Sequence, residues 1–233
     1  MSNSYLQSIT KSAELLMKSN LFAHKNSNLQ LPMNYVTQVR SLSYDEQWKI
    51  HNDQFWYHIK LSDQSLIFFK EDSFKYFMSP YGNLMSFQEF EDQRKQELFD
   101  EGITDDDEIT IFLDNIHFEY QQYLDSDAIK RMSTPIRLDI HPKQYNAAYH
   151  PMTHLHVGHD NESRIPIKKI MTPFAFTGFI LSSFYPTEWK LLIEEQKISD
   201  ADFKLLNQSL DNVPHKYKEL WCPDLEEHRF YLA

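Results

Sequence analysis

Apolar and polar positions alternate most clearly in residues 153–157, where His154 and His156 flank a single leucine. Side chains two positions apart share one face of a strand, so Leu155 and Val157 would face a core and both imidazoles the opposite side. The segment lies within residues 150–159, which hold four of the chain's eleven histidines. The pattern predicts a β-strand that presents a histidine pair.

A second alternating segment, residues 135–141, places isoleucine or leucine at every second position, with Arg137, Asp139 and His141 between them. If the two strands are neighbours in one sheet, their apolar faces bury against the same core and their polar faces point the same way. We therefore expect the three polar side chains to converge with the histidine pair.

The remaining pattern predicts an α+β protein. Aromatic and β-branched residues between short polar turns are typical of a strand meander, and they occur at 54–61, 66–70 and 74–79. Helical spacing occurs at 4–19, at 86–99, from Thr104 onwards, and from Pro173, which Thr172 would cap. These elements predict an antiparallel sheet of about five strands, with helices packed on one face and a helical C-terminal third.

The composition favours one compact unit. Four glycines and the lack of a Gly-Ser linker leave little room for a flexible hinge. A chain of 233 residues, of which 41% are hydrophobic, can bury one sizeable core without disulfides. We expect a single domain over 1–233, with the polar sheet face around 135–166 and a helical segment over 172–212.

Charge and cysteine content narrow the function classes. The lone Cys222 excludes an intrachain disulfide and a cysteine-based zinc site, and it fits a reducing compartment such as the cytoplasm. The N-terminus lacks the order of a signal peptide and no apolar run is long enough to span a bilayer, so we expect no membrane role. A formal charge of −11 argues against a chain that coats nucleic acid by charge alone.

Two chemistries suit the convergent side chains. In the first, the histidine pair and a side chain of the neighbouring strand bind a divalent metal ion. In the second, no metal is needed, because one histidine accepts a proton, another donates one, and an arginine stabilises a phosphoryl group. The competing interpretation is a solvated sheet face that does no chemistry. The candidate catalytic residues are Arg137, Asp139, His154, His156 and Arg164, and the candidate metal ligands are His154, His156, Asp139 and His141.

The triplet His154-Leu155-His156 resembles the metal-binding signature of the HUH endonucleases, which cut single-stranded DNA. Membership of that class would imply a tyrosine nucleophile on a later helix, with a lysine one turn away. The nearest pair in this chain, Tyr185 and Lys190, is out of register and lies beside Pro186. The resemblance therefore covers three residues, without the tyrosine and lysine of the class.

A longer resemblance is strongest between Arg137 and Tyr185. It is carried by Arg137-Leu-Asp139, His150-Pro151, His154-Leu-His156-Val-Gly158, Arg164-Ile-Pro166, Thr172-Pro173-Phe174 and Phe184-Tyr185. These residues resemble a bacterial family known as domain of unknown function 2290, some members of which are encoded beside a helicase in two-gene phage-defence systems. The resemblance implies antiviral defence with a helicase partner, and it supplies no established catalytic residues.

Three functional hypotheses follow. The first is a nuclease-like effector that acts with the helicase and uses the His, Asp and Arg face on the phosphates of nucleic acid, with single-stranded nucleic acid as one candidate substrate. The alternative is a non-catalytic adaptor or regulatory subunit that binds the helicase or senses phage, which the acidic charge and the many aromatic residues favour. The third is a free-standing ribonuclease toxin.

Overall fold

The computed structural model describes residues 3–81, 85–125, 132–159, 163–208, 211–226 and 229. The chain divides into two compact units. The first comprises Met1–Ser79 and Ser133–Ala233, and the second, Pro80–Met132, is inserted between these two parts in sequence. The expectation of a single domain over 1–233 stays a prediction.

The first unit is built on an antiparallel sheet, which has seven strands within the described residues, arranged across the sheet in chain order. The strands are β1 Phe22–Lys25, β2 Ile59–Leu61, β3 Leu66–Lys70, β4 Ser73–Phe77, β5 Ile136–Ile140, β6 Thr153–Val157 and β7 Ile165–Pro166. The predicted antiparallel sheet is confirmed, but the expected number of about five strands was wrong. The edge strands β1 and β7 have four and two residues, too few for an alternating pattern to be recognised.

The helices are α1 Asn3–Lys18, α2 Tyr35–Arg40, α3 Tyr44–Asp53, α4 Phe87–Asp100, α5 Asp106–Phe112, α6 Ile116–Asp125, α7 Pro173–Phe184, α8 Pro186–Glu194, α9 Asp200–Gln208, α10 Val213–Lys216 and α11 Pro223–Glu226. Local capping sets several of these bounds. Thr172 accepts a hydrogen bond from the backbone N–H of Ala175 and Pro173 is the first helical residue, as predicted. Helix α5 is capped by Asp105, whose carboxylate accepts hydrogen bonds from the backbone N–H groups of Asp107 and Glu108.

One face of the sheet packs against α1 and α7. The Phe176 ring of α7 lies 6.3 Å from the Phe69 ring and 5.6 Å from the Phe74 ring, measured between centroids. Leu16 of α1 and Leu138 of β5 belong to the same buried cluster. Each such side chain contributes about 1.5–3 kcal/mol when it is fully buried. This face is therefore the main hydrophobic core of the first unit.

The opposite face of the sheet is covered over β3 and β4 by α2 and α3. Tyr35 of α2 stacks on Phe68 with ring centroids 6.2 Å apart, and His51 of α3 lies 4.3 Å from the Phe77 ring. The prediction that helices pack on one face was therefore wrong. Helix α2 has only six residues, which is too short for its apolar face to be recognised in the sequence.

The segment 172–212 is mainly helical, as expected, but its last two residues form a short strand. This strand, β9 Asp211–Asn212, pairs with β8 Lys169–Ile170. The buried carboxylate of Glu226 in α11 accepts a hydrogen bond of 2.7 Å from the Tyr145 hydroxyl. Since Tyr145 lies between β5 and β6, this bond anchors the long loop that connects the two polar strands.

The second unit holds α4, α5 and α6. The helical segment predicted from Thr104 onwards does not form one long helix, because a 3-10 turn at Leu113–Asn115 separates α5 from α6. Phe87 of α4 stacks on His117 of α6 with ring centroids 4.4 Å apart. In the part of the chain that the structure describes, no helix combines the length and the apolar character needed to cross a membrane.

Candidate metal centre

Polar side chains form two rows across β4, β5 and β6, on the face of the sheet opposite α1 and α7. Antiparallel register places side chains of three neighbouring strands directly beside one another. The first row is Ser73, Asp139 and His154, and the second row is Lys75, Arg137 and His156. The predicted convergence of the two alternating strands therefore occurs, and β4 adds a third strand to it.

Asp139 lies at the centre of this polar face. One carboxylate oxygen, Oδ2, is 2.9 Å from Arg137 Nε and 3.3 Å from His156 Nε2. The other, Oδ1, accepts a hydrogen bond of 2.8 Å from the Ser73 hydroxyl. Burial by itself raises the pKa of Asp139, but the hydrogen bond from His156 and the charge of Arg137 outweigh burial and hold that pKa well below its usual range. The group is thus a buried carboxylate that is charged at neutral pH.

His154 is oriented by the backbone. Its Nδ1 lies 3.1 Å from the Pro151 carbonyl oxygen. Because a carbonyl oxygen only accepts, Nδ1 carries the proton, and in the neutral ring the lone pair is on Nε2. Burial lowers the pKa of His154 to about 4, against the opposing charge of Asp139, so the ring is neutral at physiological pH. A neutral imidazole held by a backbone carbonyl is the form in which histidine binds metals.

Asp139, His154 and His156 form a buried group that could hold a metal ion. Each offers one ligand atom, and these atoms all lie within 4.8 Å of one another. The three residues are 5%, 1% and 5% exposed. Two histidine nitrogens and one carboxylate oxygen are a donor set found in catalytic zinc sites, which keep a further position open. The donor chemistry therefore fits a divalent ion bound by two neighbouring strands.

Burial corrects one part of the competing interpretation of this face. That interpretation expected a solvated face, whereas Asp139, His154 and His156 are all buried. That the face does chemistry stays a prediction. Burying charged or polar groups is costly unless they are paired with one another or with a metal. The alternation along each strand predicted the shared face, but not that solvent would be kept from it.

The remaining candidates lie around this group. His141 is 31% exposed, and its Nε2 is 3.8 Å from Asp139 Oδ2, but it is not among the three residues that could share an ion. The Arg137 side chain is 45% exposed, so its guanidinium pairs with the buried carboxylate of Asp139 and also reaches solvent. Arg164 lines a cleft that also contains Arg137 and His156. His141 and Arg164 therefore stay candidates beside the centre.

Tyr185 lies on the other face of the sheet. Its hydroxyl is 2.8 Å from the Tyr76 hydroxyl, and it donates a hydrogen bond of 3.0 Å to Asp63 Oδ2. Tyr76 alternates with Lys75 along β4 and belongs to the core that packs against α7. The sheet itself therefore separates Tyr185 from the histidine pair, and Tyr185 cannot serve that pair as a nucleophile.

Ser73 and Lys75 are site residues that the sequence interpretation missed. Both lie on β4 and alternate there with Phe74 and Tyr76, which face the core. This is the same alternation that identified the two polar strands. The signal was present, but the pairing of β4 with β5 joins residues more than sixty positions apart and could not be derived from either segment alone.

The chain was compared with known proteins. The family model described as "Uncharacterized conserved protein (DUF2290)" matches residues 15–219. Neither the curated proteins nor the solved structures gave a match. The match spans the whole candidate centre and most of both units, so the chain belongs to the DUF2290 family.

Proposed function

We propose that Asp139, His154 and His156 bind a divalent metal ion and that this centre hydrolyses phosphodiester bonds of nucleic acid. We further propose that the chain is the nuclease-like effector of a helicase-associated phage-defence system in the cytoplasm. The defence context rests on the family resemblance, and the chemistry rests on the buried centre. The two parts are tested separately.

The observation that carries the chemistry is the state of His154. Its Nδ1 donates to the Pro151 carbonyl, its Nε2 has the lone pair, and the charged carboxylate of Asp139 lies 3.9 Å away. A histidine that served only to pair with Asp139 would be expected to donate to the carboxylate from a nearer position. The arrangement instead suits two ligands that share one cation.

Each neighbouring group has a role in this proposal. A divalent ion bound at the centre would supply Lewis-acid activation of a phosphate ester. Arg137, fixed by its ion pair with Asp139, orients the phosphate and stabilises its developing negative charge. His141 is partly exposed beside Asp139, so it is positioned to transfer a proton between the reacting group and solvent. Arg164 adds a second cation for the phosphate.

Activity assays test the chemistry. Purified chain is incubated with single-stranded and double-stranded DNA and RNA, with Mg²⁺, Mn²⁺ or Zn²⁺ and with a chelator. We expect metal-dependent cleavage that His154→Ala and His156→Ala abolish, whereas His24→Ala, which removes an exposed imidazole outside the centre, retains it. Circular dichroism confirms that the variants are folded. Cleavage that persists in chelator would favour the metal-free mechanism, and full activity of the double histidine variant would contradict both mechanisms.

Phage challenge tests the defence context. Cells that carry the chain and the helicase encoded beside it are infected with a panel of phages. The proposal predicts protection that requires both proteins and is lost with His154→Ala. Full protection by the His154→Ala, His156→Ala double variant would contradict an effector role for the centre.

The adaptor hypothesis has one observation in its favour. The second unit exposes several large apolar side chains on α5 and α6, namely Ile111, Phe112 and Phe118. Exposed apolar clusters are typical of protein interfaces. Co-purification with the helicase measures this role: loss of the complex with Ile111→Ser and Phe118→Ser, but not with His154→Ala, would assign binding to the second unit.

A further inference from the structure

A cleft of about 620 Å³ opens beside the metal centre, within the first unit. Strands β4, β5 and β6 contribute to its floor, and helices α2 and α3 contribute a wall. Arg137 and His156 line the cleft and also contact Asp139. The cleft and the candidate centre are therefore continuous.

The cleft is cationic although the chain is acidic. Four cationic side chains line it, namely Arg40, Lys75, Arg137 and Arg164. Among the residues that the structure describes, no aspartate or glutamate lines it. In a chain with a formal charge of −11, this local excess of positive charge favours an anionic ligand.

Lys75 gives the strongest sign of an anion site. It lies directly opposite Arg137 across β4 and β5, and like charges in that position destabilise a sheet. Its Nζ is 5.8 Å from the centre of the Tyr35 ring and 5.7 Å from that of Phe77, contacts that offset only part of the cost. Burial, and then the charge of Arg137, lower the pKa of Lys75 to about 8, although the charge of Asp139 partly opposes them. A bound anion would relieve both the repulsion and the burial cost.

The lining of the cleft also includes two aromatic rings suited to a planar group. Tyr44 and His159 are half-buried, and their ring centroids lie 5.6 Å apart. Gly158, which follows β6 directly and precedes His159, also lines the cleft; its φ of +91° favours glycine, so no side chain covers the backbone there. Aromatic side chains of this kind stack on nucleic-acid bases. The volume exceeds that of a phosphate and falls in the range of small-molecule sites, about 300–1,000 Å³.

We infer that this cleft binds a phosphorylated nucleotide unit, with the phosphate between Lys75 and Arg137 and the base against Tyr44 and His159. The inference rests on the proposed function, because a phosphate at Arg137 is adjacent to the centre that would cleave it. It goes further by assigning a substrate class and four binding residues. A free nucleotide and one unit of a single strand share this chemistry.

Equilibrium binding to the full-length chain in chelator tests the inference without turnover. The probes are a fluorescent single-stranded oligonucleotide, a nucleoside 5′-monophosphate, the same nucleoside and inorganic phosphate. We expect the monophosphate to bind at least about tenfold more tightly than the nucleoside, because its phosphate adds one charge-assisted hydrogen bond. If the oligonucleotide binds much more tightly than the monophosphate, the ligand is a single strand. If the two bind with equal affinity, the ligand is the free nucleotide.

Variants connect this binding to the cleft. Lys75→Met keeps the length of the side chain and removes its charge, so we expect binding to weaken about tenfold while the thermal midpoint stays equal or rises. Arg40→Gln changes an exposed residue and should weaken binding without affecting the fold. The matched control is Lys169→Met, which removes an exposed lysine of β8 outside the cleft.

Two results would overturn the inference. One is equal affinity for the nucleoside and its monophosphate, and the other is unchanged binding by Lys75→Met. The proposed function fails independently of these results. His154→Ala should keep nucleotide binding and lose cleavage, so a chain that binds nucleotides through Lys75 but cleaves nothing would contradict the proposed function and leave the cleft assignment supported.

Discussion

At the scale of single residues, the candidate centre depends on how Asp139 is held. Its Oδ1 accepts from Ser73, which leaves Oδ2 toward the two histidines. Replacing a side chain that orients a metal ligand commonly lowers metal affinity by about 10- to 100-fold. Ser73 is therefore a positioning residue in our account, and it can be tested without removing a ligand.

Ser73→Ala is expected to weaken metal affinity by about tenfold, because the Asp139 carboxylate loses the bond that fixes its rotation. Calorimetric titration of the metal-free variant measures this effect. The control is Ser182→Ala, whose hydroxyl bonds a backbone carbonyl near the end of α7, away from the centre. Wild-type affinity in Ser73→Ala would show that Ser73 does not position the carboxylate.

The residues of the centre also show how much of the site could be predicted from the sequence. Alternation predicted that Asp139, His154 and His156 share a face, because side-chain direction depends only on local strand geometry. It could not predict that all three are buried, since burial depends on what the whole fold brings over that face. Lys75 was missed for a related reason, because its proximity to Arg137 comes from strand pairing.

Among the secondary-structure elements, α3 is important because, together with α2, it forms a wall of the cleft. Ser43 and Glu46 form a capping box at its start: Ser43 accepts from the Glu46 N–H, and the Glu46 carboxylate accepts from the Ser43 N–H at 2.8 Å. Tyr44 is the first residue of this helix. The cap thus fixes the position at which the helix begins beside the cleft.

Ser43→Ala should reduce the free energy of unfolding by about 1 kcal/mol, the usual cost of losing a helix cap. Urea denaturation measures the change. Ser41→Ala provides the comparison, since it alters an exposed serine just before the helix. Equal stability of the two variants would mean that the capping box contributes nothing measurable.

The helices also show which parts of the fold could be predicted from the sequence and which could not. The Thr172 cap and Pro173 start of α7 could be predicted because capping is local. The second helical layer, formed by α2 and α3, was not predicted, because its short helices are positioned by contacts with Phe68 and Phe77 of the sheet. Residues of this second layer line the cleft, so the cleft could not be predicted either.

At the scale of the whole molecule, buried histidines outside the centre make the stability of the fold dependent on pH. His51 bonds the Gln47 carbonyl through Nδ1 and the Tyr35 hydroxyl through Nε2, and His58 accepts from the Phe69 N–H. Burial lowers the pKa of both rings from 6.5 to about 4. Both are therefore neutral in the folded chain at physiological pH.

The sign of the effect follows from these values. Between pH 6.5 and about 4 the unfolded chain binds more protons than the folded chain, so stability is complete above pH 6.5 and is lost as the pH falls. We expect a loss on the order of 3 kcal/mol for each ring over this window. Urea denaturation at a series of pH values measures it.

His58→Gln keeps an acceptor for the Phe69 N–H and removes the titrating ring, so its stability should depend less on pH than that of the wild type. His24→Gln, which changes an exposed histidine, should follow the wild-type curve. If His58→Gln loses stability with acid as steeply as the wild type, the buried ring is not a source of the pH dependence.

Calorimetric titration of the metal-free chain with Zn²⁺ and Mn²⁺ measures whether Asp139, His154 and His156 bind one divalent ion. We expect one saturable site per chain, which His24→Ala retains and the His154→Ala, His156→Ala double variant loses while remaining folded. A chain that shows no saturable site, or a double variant that binds the ion as tightly as the wild type, would contradict the proposed metal site.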